Sequence, residues 1–323
     1  MSDTATATTE ELDKYRRELT GYCYRMLGSS FEAEDAVQDT MVRAWKAIGS
    51  FEGRSSLRSW LYRIATNVCL DALNAGNRRA RPMDLSGPTP VAQAQLVKQP
   101  EITWLEPIPD GRVMPSAGDP AEAALSRESV RLAFVAALQH LPPKQRAVLI
   151  LREVLAWKAG EVAELLDTSV ASVNSALQRA RATIAEQAPA ASDAADPLDE
   201  EQQALLERYV AAFEGYDMRA LTALLHEDAT MSMPPYDLWL RGHEDIVGWM
   251  LGVGDVCRGS KLVPTVANGS PAFAHYHPDP AGGFSPWALI VLELRDGKVG
   301  GMDFFLDTER WFPLFDLPVR LEA

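Results

Sequence analysis

Eight of the chain's 21 prolines crowd into residues 81–120, at Pro82, Pro88, Pro90, Pro100, Pro107, Pro109, Pro115 and Pro120. Proline fixes its own φ, lacks an amide donor and disfavours the helical conformation of the residue before it. No long helix or central strand survives that density, so the segment reads as an extended or irregular linker. It divides the 323-residue chain into pieces that must each bury their own core. A shorter break, APAASDAADPLDE, spans 188–200. The expected organisation is a loose, disordered tail at 1–9, a helical domain at 10–80, the proline-rich linker at 81–120, a second helical domain at 121–187, a linker at 188–200 and a C-terminal domain at 201–323. No internal repeat is visible.

The formal net charge is −14, which taken whole argues against a nucleic-acid partner. By segment the picture changes. Residues 1–80 carry 11 basic against 11 acidic side chains, whereas 188–323 carry 9 against 22. Residues 51–81 hold six arginines against only Glu52 and Asp71, so this stretch is locally basic. The 47% hydrophobic content excludes wholly disordered and collagen-like classes. Cys23, Cys69 and Cys257 lie far apart with no CxxC pair, which supports neither a disulfide framework nor a zinc site. The pattern calls for no metal and no cofactor. MSDTATATT lacks the basic and apolar regions of a signal peptide, and no window approaches 18 uninterrupted apolar residues. The expectation is a soluble cytoplasmic protein with no membrane partner.

From Glu10 to Arg79 the pattern is helical. Val37, Met41, Ala44 and Ile48 form one apolar stripe, with Asp35, Gln38, Asp39 and Lys46 opposite. Leu57, Leu61, Ile64 and Val68 repeat the spacing after a polar loop from Phe51 to Ser56. Arginines interleaved with Trp45 and Trp60 suit a single strand of DNA, by phosphate neutralisation and base stacking, and suit ordinary surface and core equally well. The ordered run AEDAVQDTMVRAWKAIGSFEGRSSLRSWLYRIATNVCLDAL is more specific: it closely resembles region 2 of extracytoplasmic-function (ECF) sigma factors of the sigma-70 superfamily. The resemblance implies that Asp35, Gln38, Asp39 and Arg43 face the β′ clamp helices of core RNA polymerase. It implies that Arg54, Ser55, Ser56, Arg58, Trp60, Arg63 and Asn67 handle the promoter −10 strand, with a base extruded into a protein pocket.

Residues 121–187 read as a helix cluster ending in a helix-turn-helix. Leu125, Leu132, Phe134, Val135 and Leu138 are expected in the core. Asp167-Thr168-Ser169 make the turn, and the next helix sends Val170, Val173, Leu177 and Ile184 inward. Ser172, Asn174, Ser175, Gln178, Arg179 and Arg181 are left outward. LPPKQRAVLILREVLAWKAGEVAELLDTSVASVNSALQRAR resembles region 4 of the same family, which reads the −35 element, so those six are the expected −35 contacts. Family members often carry Lys or Arg where this chain has Asn174 and Ala176, which implies weaker, less salt-dependent binding. Ser172, Arg179 and Arg181 are therefore favoured over Asn174. By the same resemblance the linker threads towards the polymerase active cleft, and its WLEPIPDG is either a docking element or a local turn at Asp110-Gly111.

Residues beyond 200 carry two helical stripes, a short helix at Ile246–Leu251, and strand-like runs at 261–267, 271–277, 287–294 and 298–306. Arg295-Asp296-Gly297 joins the last two as a tight turn. LLHEDATMSMPPYDLWLRGHEDI, NGSPAFAHY and DGKVGGMDFFLD resemble SnoaL-like domains, relatives of ketosteroid isomerase with an α+β cone. The fold class is thus two all-α sigma domains plus an α+β cone. An ECF subgroup carries such a domain behind region 4, and the resemblance implies that it modulates sigma activity through intramolecular contact. Trp239, Trp249, Phe273, His275, His277, Asp303 and Phe305, with Tyr276 and Trp311, are candidate walls of a pocket for a small ligand. A His/Asp pair in an apolar cone would also suit proton abstraction beside a carbonyl. The reading is an RNA polymerase sigma factor, not an enzyme, with the core (β and β′ subunits) and promoter DNA as partners. The alternatives are a ligand-responsive helix-turn-helix regulator independent of polymerase, and a SnoaL-like isomerase or cyclase.

Overall fold

The computed structural model describes residues 9–75, 79–100, 104–114, 120–186 and 198–322. Residues 1–8 of the tail expected at 1–9 and most of the 188–200 linker lie outside them, while Thr9 opens the first helix. The described residues fall into two compact units that alternate along the chain. One comprises the residues up to Arg79 with those from Gly111 to Glu186; the other comprises Ala80–Asp110 with residues 198–322.

Helices α1 (Thr9–Asp13), α2 (Arg16–Leu27), α3 (Ser30–Ala47) and α4 (Leu57–Ala75) open the chain, and the four-residue helices α5 (Pro82–Leu85) and α6 (Asp110–Val113) lie within the proline-rich stretch. Then follow α7 (Pro120–Glu128), α8 (Leu132–Gln139), α9 (Pro143–Leu149), α10 (Ala159–Leu165) and α11 (Val170–Glu186). Gly28 ends α2 at φ +71, its N–H returning to Tyr24 O at 2.8 Å, and Ser29 Oγ accepts from Glu32 N at 3.1 Å to start α3. A left-handed C-cap beside a serine N-cap turns the chain within two residues. The expected stripe of α3 is buried at Val37, Met41 and Ala44. Tyr22 and Tyr62 pack edge to face at 5.1 Å, and Tyr22 Oη shares a 2.8 Å hydrogen bond with Thr66.

Two arginines bind these elements to the later helices of the same unit. Arg25 on α2, 3% exposed, donates from Nε and Nη2 to Ser129 Oγ at 3.0 and 2.7 Å. Arg146 on α9, also 3% exposed, donates to Met26 O, Gln139 Oε1 and the carbonyls of Gln139 and Leu141. Leu125, expected in the core, is exposed, while the end of α7 and the residue after it present the Ser126 carbonyl and the Ser129 hydroxyl to Arg25; Phe134 is half-buried. Val170, expected inward, is exposed too: it opens α11, whose buried stripe starts at Val173 and continues through Leu177 and Ala180.

In the second unit, α12 (Glu200–Glu214) and α13 (Met218–Leu224) precede β1 (Leu225–Ser232), β2 (Trp239–Arg241), α14 (Gly242–Leu251), a 3-10 turn at Val253–Cys257, β3 (Lys261–Ala267), β4 (Ser270–Pro278), β5 (Phe284–Arg295), β6 (Lys298–Phe305) and α15 (Thr308–Leu314). The strands form one sheet in the order β2-β1-β6-β5-β4-β3, antiparallel except for the parallel pair β1–β6. Asp296 and Gly297 both take positive φ at the β5–β6 turn, as a two-residue hairpin requires. Leu205, Tyr209 and Phe213 of α12 and Ile246 and Trp249 of α14 close over Phe273, Ile290, Leu292, Met302 and Phe304 on one sheet face. This is the α+β cone that the sequence led us to expect.

The proline-rich stretch departs from expectation. Its described residues up to Asp110 are fastened to the C-terminal domain. Thr89 N bonds Trp239 O, Gln99 N bonds Pro235 O, and Asp237 N bonds Val97 O, at 2.9–3.1 Å. Val91 N donates to Asp245 Oδ1 at 2.8 Å, and Trp239 Nε1 to Ser86 O at 3.0 Å. Ile108 N donates to Asn268 Oδ1 and Asn268 N to Ile108 O, both at 3.0 Å, while Gly269 N reaches Asp110 Oδ1 at 2.8 Å. Trp104, Leu105 and Ile108 are buried. Proline limits regular structure here to single short turns but leaves side chains and the remaining amides free to pair with another surface. WLEPIPDG is held to the C-terminal domain at Ile108 and Asp110, and Asp110-Gly111 begins a helical turn instead of a β-turn.

Asn268 sits at φ +56, so Asn268→Gly removes the acceptor without straining the backbone. The buried Ile108 amide is then orphaned, at a cost of about 1–3 kcal/mol. Hydrogen exchange across 104–110 should accelerate at least tenfold; unchanged protection would show that the clasp does not hold the segment.

Candidate nucleic-acid interface

The outward face of α3 carries Asp35, Gln38 and Arg43 exposed and Asp39 half-buried. Arg43 pairs with Asp39 at 2.7 Å along the helix and approaches Asp71 of α4 at 3.9 Å. Such exposed pairs contribute a few tenths of a kcal/mol and exchange readily for a partner's charges. Trp45 stands 63% exposed on the same helix, a large apolar surface with no place in the core.

The loop after α3 and the first turns of α4 gather the expected −10 residues, but several have intramolecular duties. Ser56 Oγ accepts from Ser59 N at 3.0 Å, which caps α4. Trp60 packs on Phe51 with ring centroids 5.1 Å apart. Arg58 forks onto both oxygens of Glu18 at 3.1 Å, and its guanidinium lies 5.3 and 5.4 Å from the ring centroids of Tyr62 and Trp157. Burial of Glu18 pushes its carboxyl above the usual range, against the pull of Arg58. Arg63 Nη2 donates to Glu164 O at 2.7 Å, near the C-terminus of α10, where the helix dipole favours a cation. Arg54, Ser55 and Asn67 belong to the same surface; Arg54 pairs with Glu52 at 3.0 Å, and Asn67 is exposed one turn beyond Arg63.

On α11, Ser172, Asn174, Ser175, Gln178, Arg179 and Arg181 are all exposed. Ser172, Ser175 and Arg179 lie along one row, and Asn174, Gln178 and Arg181 along its neighbour. Ser169 Oγ accepts from Ser172 N at 3.1 Å and caps the helix, and Arg181 pairs with Glu153 at 2.6 Å. Asp167 takes φ +50 in the turn, which sets α11 across α10 as in a helix-turn-helix. Sequence reasoning passed over Arg25 and Arg146. The available signal was an arginine inside an apolar run, YCYRML and KQRAVLIL, where only a buried, bonded guanidinium fits.

In the C-terminal domain the candidate pocket residues do not converge. Phe273, Ile290 and Phe304 are register partners on the core face, and His275 follows Phe273 on it, 5.1 Å from Phe213. Asp303 pairs in register with Val291 and so points to the opposite face, with Phe305. The His/Asp pair that proton abstraction would need is therefore split by the sheet. Trp249 is core, while Trp239 bonds the proline-rich stretch. Phe305 and Trp311 line a small cleft with Trp104, Glu106, Pro235 and Arg310. Burial drives the His275 imidazole well below its ordinary range, with His277 adding to the effect, and lowers His277 to about 4. Desolvation pushes Asp303 up to about 6, against the Ser232 hydroxyl bond at 2.5 Å and Arg81, with Glu293 and Asp84 adding to the rise.

Comparison with known proteins follows this division. Residues 12–79 match the family Sigma-70 region 2, residues 131–184 match Sigma-70, region 4, and residues 206–300 match the SnoaL-like domain. The chain is 48% identical over 317 residues to the ECF RNA polymerase sigma factor SigG of Mycobacterium tuberculosis, covering 96% of this chain and 83% of that one. It is 28% identical over 302 residues to SigJ of the same organism, covering 90% and 88%. The crystal structure of Mycobacterium tuberculosis SigJ superposes with a TM-score of 0.63 at 22% identity, over 97% of this chain and all of that one, and shows the shared fold.

The raised carboxyl of Asp303 carries a pH signature. Its folded form favours the proton, so the ionised group weighs on stability above pH 6 and the burden disappears as pH falls towards 4. Asp303→Asn should stabilise the C-terminal domain at pH 8 by up to about 3 kcal/mol, from about two pKa units. Thermal melts should show that advantage shrinking to nothing near pH 4; a pH-independent difference would refute it.

Proposed function

This chain belongs to the ECF RNA polymerase sigma factors, and from that premise we propose how its parts divide the work of promoter-directed initiation. Asp35, Gln38, Asp39 and Arg43 on α3 engage the β′ clamp helices of the core enzyme, with further contacts to β. Arg54, Ser55, Ser56, Arg58, Trp60, Arg63 and Asn67 handle the −10 strand, and Ser172, Asn174, Ser175, Gln178, Arg179 and Arg181 meet the −35 duplex. The C-terminal domain modulates this activity and is not a catalyst, a reading supported by the separation of His275 from Asp303 across the sheet.

The observation that carries the scheme is the hydrogen bond from Arg63 to Glu164 O, with Arg58 lying over both Tyr62 and Trp157. In this arrangement two −10 residues are occupied by the segment that reads −35. The two promoter elements are centred about 25 base pairs apart, about 85 Å at 3.4 Å per step. One packed helical unit does not span that distance, so promoter engagement requires the region 2 and region 4 helices to part and release Arg58 and Arg63. The contacts that part are suited to release. Burial holds the Arg25 guanidinium down to about 10, and regained hydration offsets the bonds lost to Ser129.

With dyes at the exposed positions Lys46 and Glu186, energy transfer should be efficient in the free protein and fall sharply on adding core polymerase and promoter DNA. Unchanged transfer during productive transcription would refute the opening. Asn67→Ala should reduce open-complex formation at least tenfold with core binding intact, measured by permanganate footprinting and pull-down; equal loss of core binding would sink its −10 role.

A further inference from the structure

Three side chains on the core side of the C-terminal domain have no part in the scheme above. His275 and His277 stand two residues apart on β4, with ring centroids 5.0 Å apart, and Cys257 closes the 3-10 turn that leads to β3. The thiol sulfur and one nitrogen of each imidazole all lie within 4.8 Å of one another. His275 is fully buried, yet neither of its ring nitrogens has a hydrogen-bond partner, and His277 Nε2 and the buried Ser260 Oγ lack one as well. A buried imidazole has one donor and one acceptor to satisfy, and leaving them unmet costs about 1–3 kcal/mol each. Orphaned nitrogens beside a buried thiol are what a ligand set presents before its ion is in place.

We propose that Cys257, His275 and His277 bind one zinc(II) ion. A thiolate and two imidazoles suit a borderline-soft d10 ion, which accepts three protein ligands and keeps a fourth position for water or an incoming donor. Bond lengths of about 2.0–2.3 Å bring donor atoms to about 3.3–3.8 Å from one another in a tetrahedral site. Side-chain rotations that move each donor by about 1 Å achieve this from the observed cluster. The Trp287 ring lies flat against His277 at 3.9 Å and 11°, and Phe213 and Phe304 flank His275, so the ion would sit in an apolar, shielded setting. On binding, the Cys257 S–H proton passes to solvent and no redox change is involved. The bound ion links the turn at Val253–Cys257 to β4. This site stands independently of the transcription scheme, since it is read without polymerase.

The test uses the full chain, stripped with chelator and titrated with Zn2+ against a chromophoric competitor. One equivalent should bind, with affinity falling at least 100-fold in Cys257→Ser and in His277→Gln. The Co2+-loaded chain should show a thiolate-to-cobalt charge-transfer band that Cys257→Ser abolishes. A wild-type chain that holds Zn2+ no better than either variant overturns the proposal. So does a Co2+ derivative without the thiolate band, a result that needs no variant to fold.

Discussion

The guanidinium of Arg146 is the tie on which the helical unit depends. It is nearly inaccessible to water and donates to oxygens at the end of α2 and in the α8–α9 turn. A buried charge held by carbonyl oxygens fixes geometry more tightly than it adds stability, because much of the bond energy offsets desolvation. Arg25 repeats the arrangement one step away through Ser129. Together they set the segment after Gly111 against α2, and that placement brings Trp157 to Arg58 and Glu164 to Arg63. The residues expected to read the −10 strand are thus held through polar contacts that water or phosphate can replace.

The cone is organised by parity. Along β4, β5 and β6, Phe273, Ile290 and Phe304 turn inward beneath α12 and α14, and their neighbours turn outward towards α15 and the proline-rich stretch. The two faces have different chemistry: the inner holds His275 among aromatic rings, the outer holds Asp303 near Arg81, Asp84 and Glu293.

Where local period decides structure, the sequence was legible. The α3 stripe, the turn before α11 and the Asp296-Gly297 hairpin all follow from residues close in the chain. β1 was missed because His226, Glu227 and Asp228 interrupt its alternation and its register shifts between Leu225 and Thr230. The faces of His275 and Asp303 depend on register across three strands, which no single segment encodes. Proline density said what residues 81–110 cannot form, not that Asn268, Asp245 and Trp239 would hold them. The match to both sigma regions was readable because it rests on long ordered runs, whereas Arg25 and Arg146 matter through partners more than 100 residues away.

The alternation of the two units along the chain has a mechanical consequence. The described residues of 80–110 leave the helical unit and run over the C-terminal domain, and the chain returns to the helical unit at Gly111. Fully extended, those 31 residues measure about 105 Å, enough to cover the separation of two promoter boxes. Clasped at Trp239, Asp245 and Asn268, that contour length is wound up as slack on a spool. Any separation of the helices before Arg79 from those after Gly111 that exceeds the clasped path would therefore draw on bonds made to the C-terminal domain.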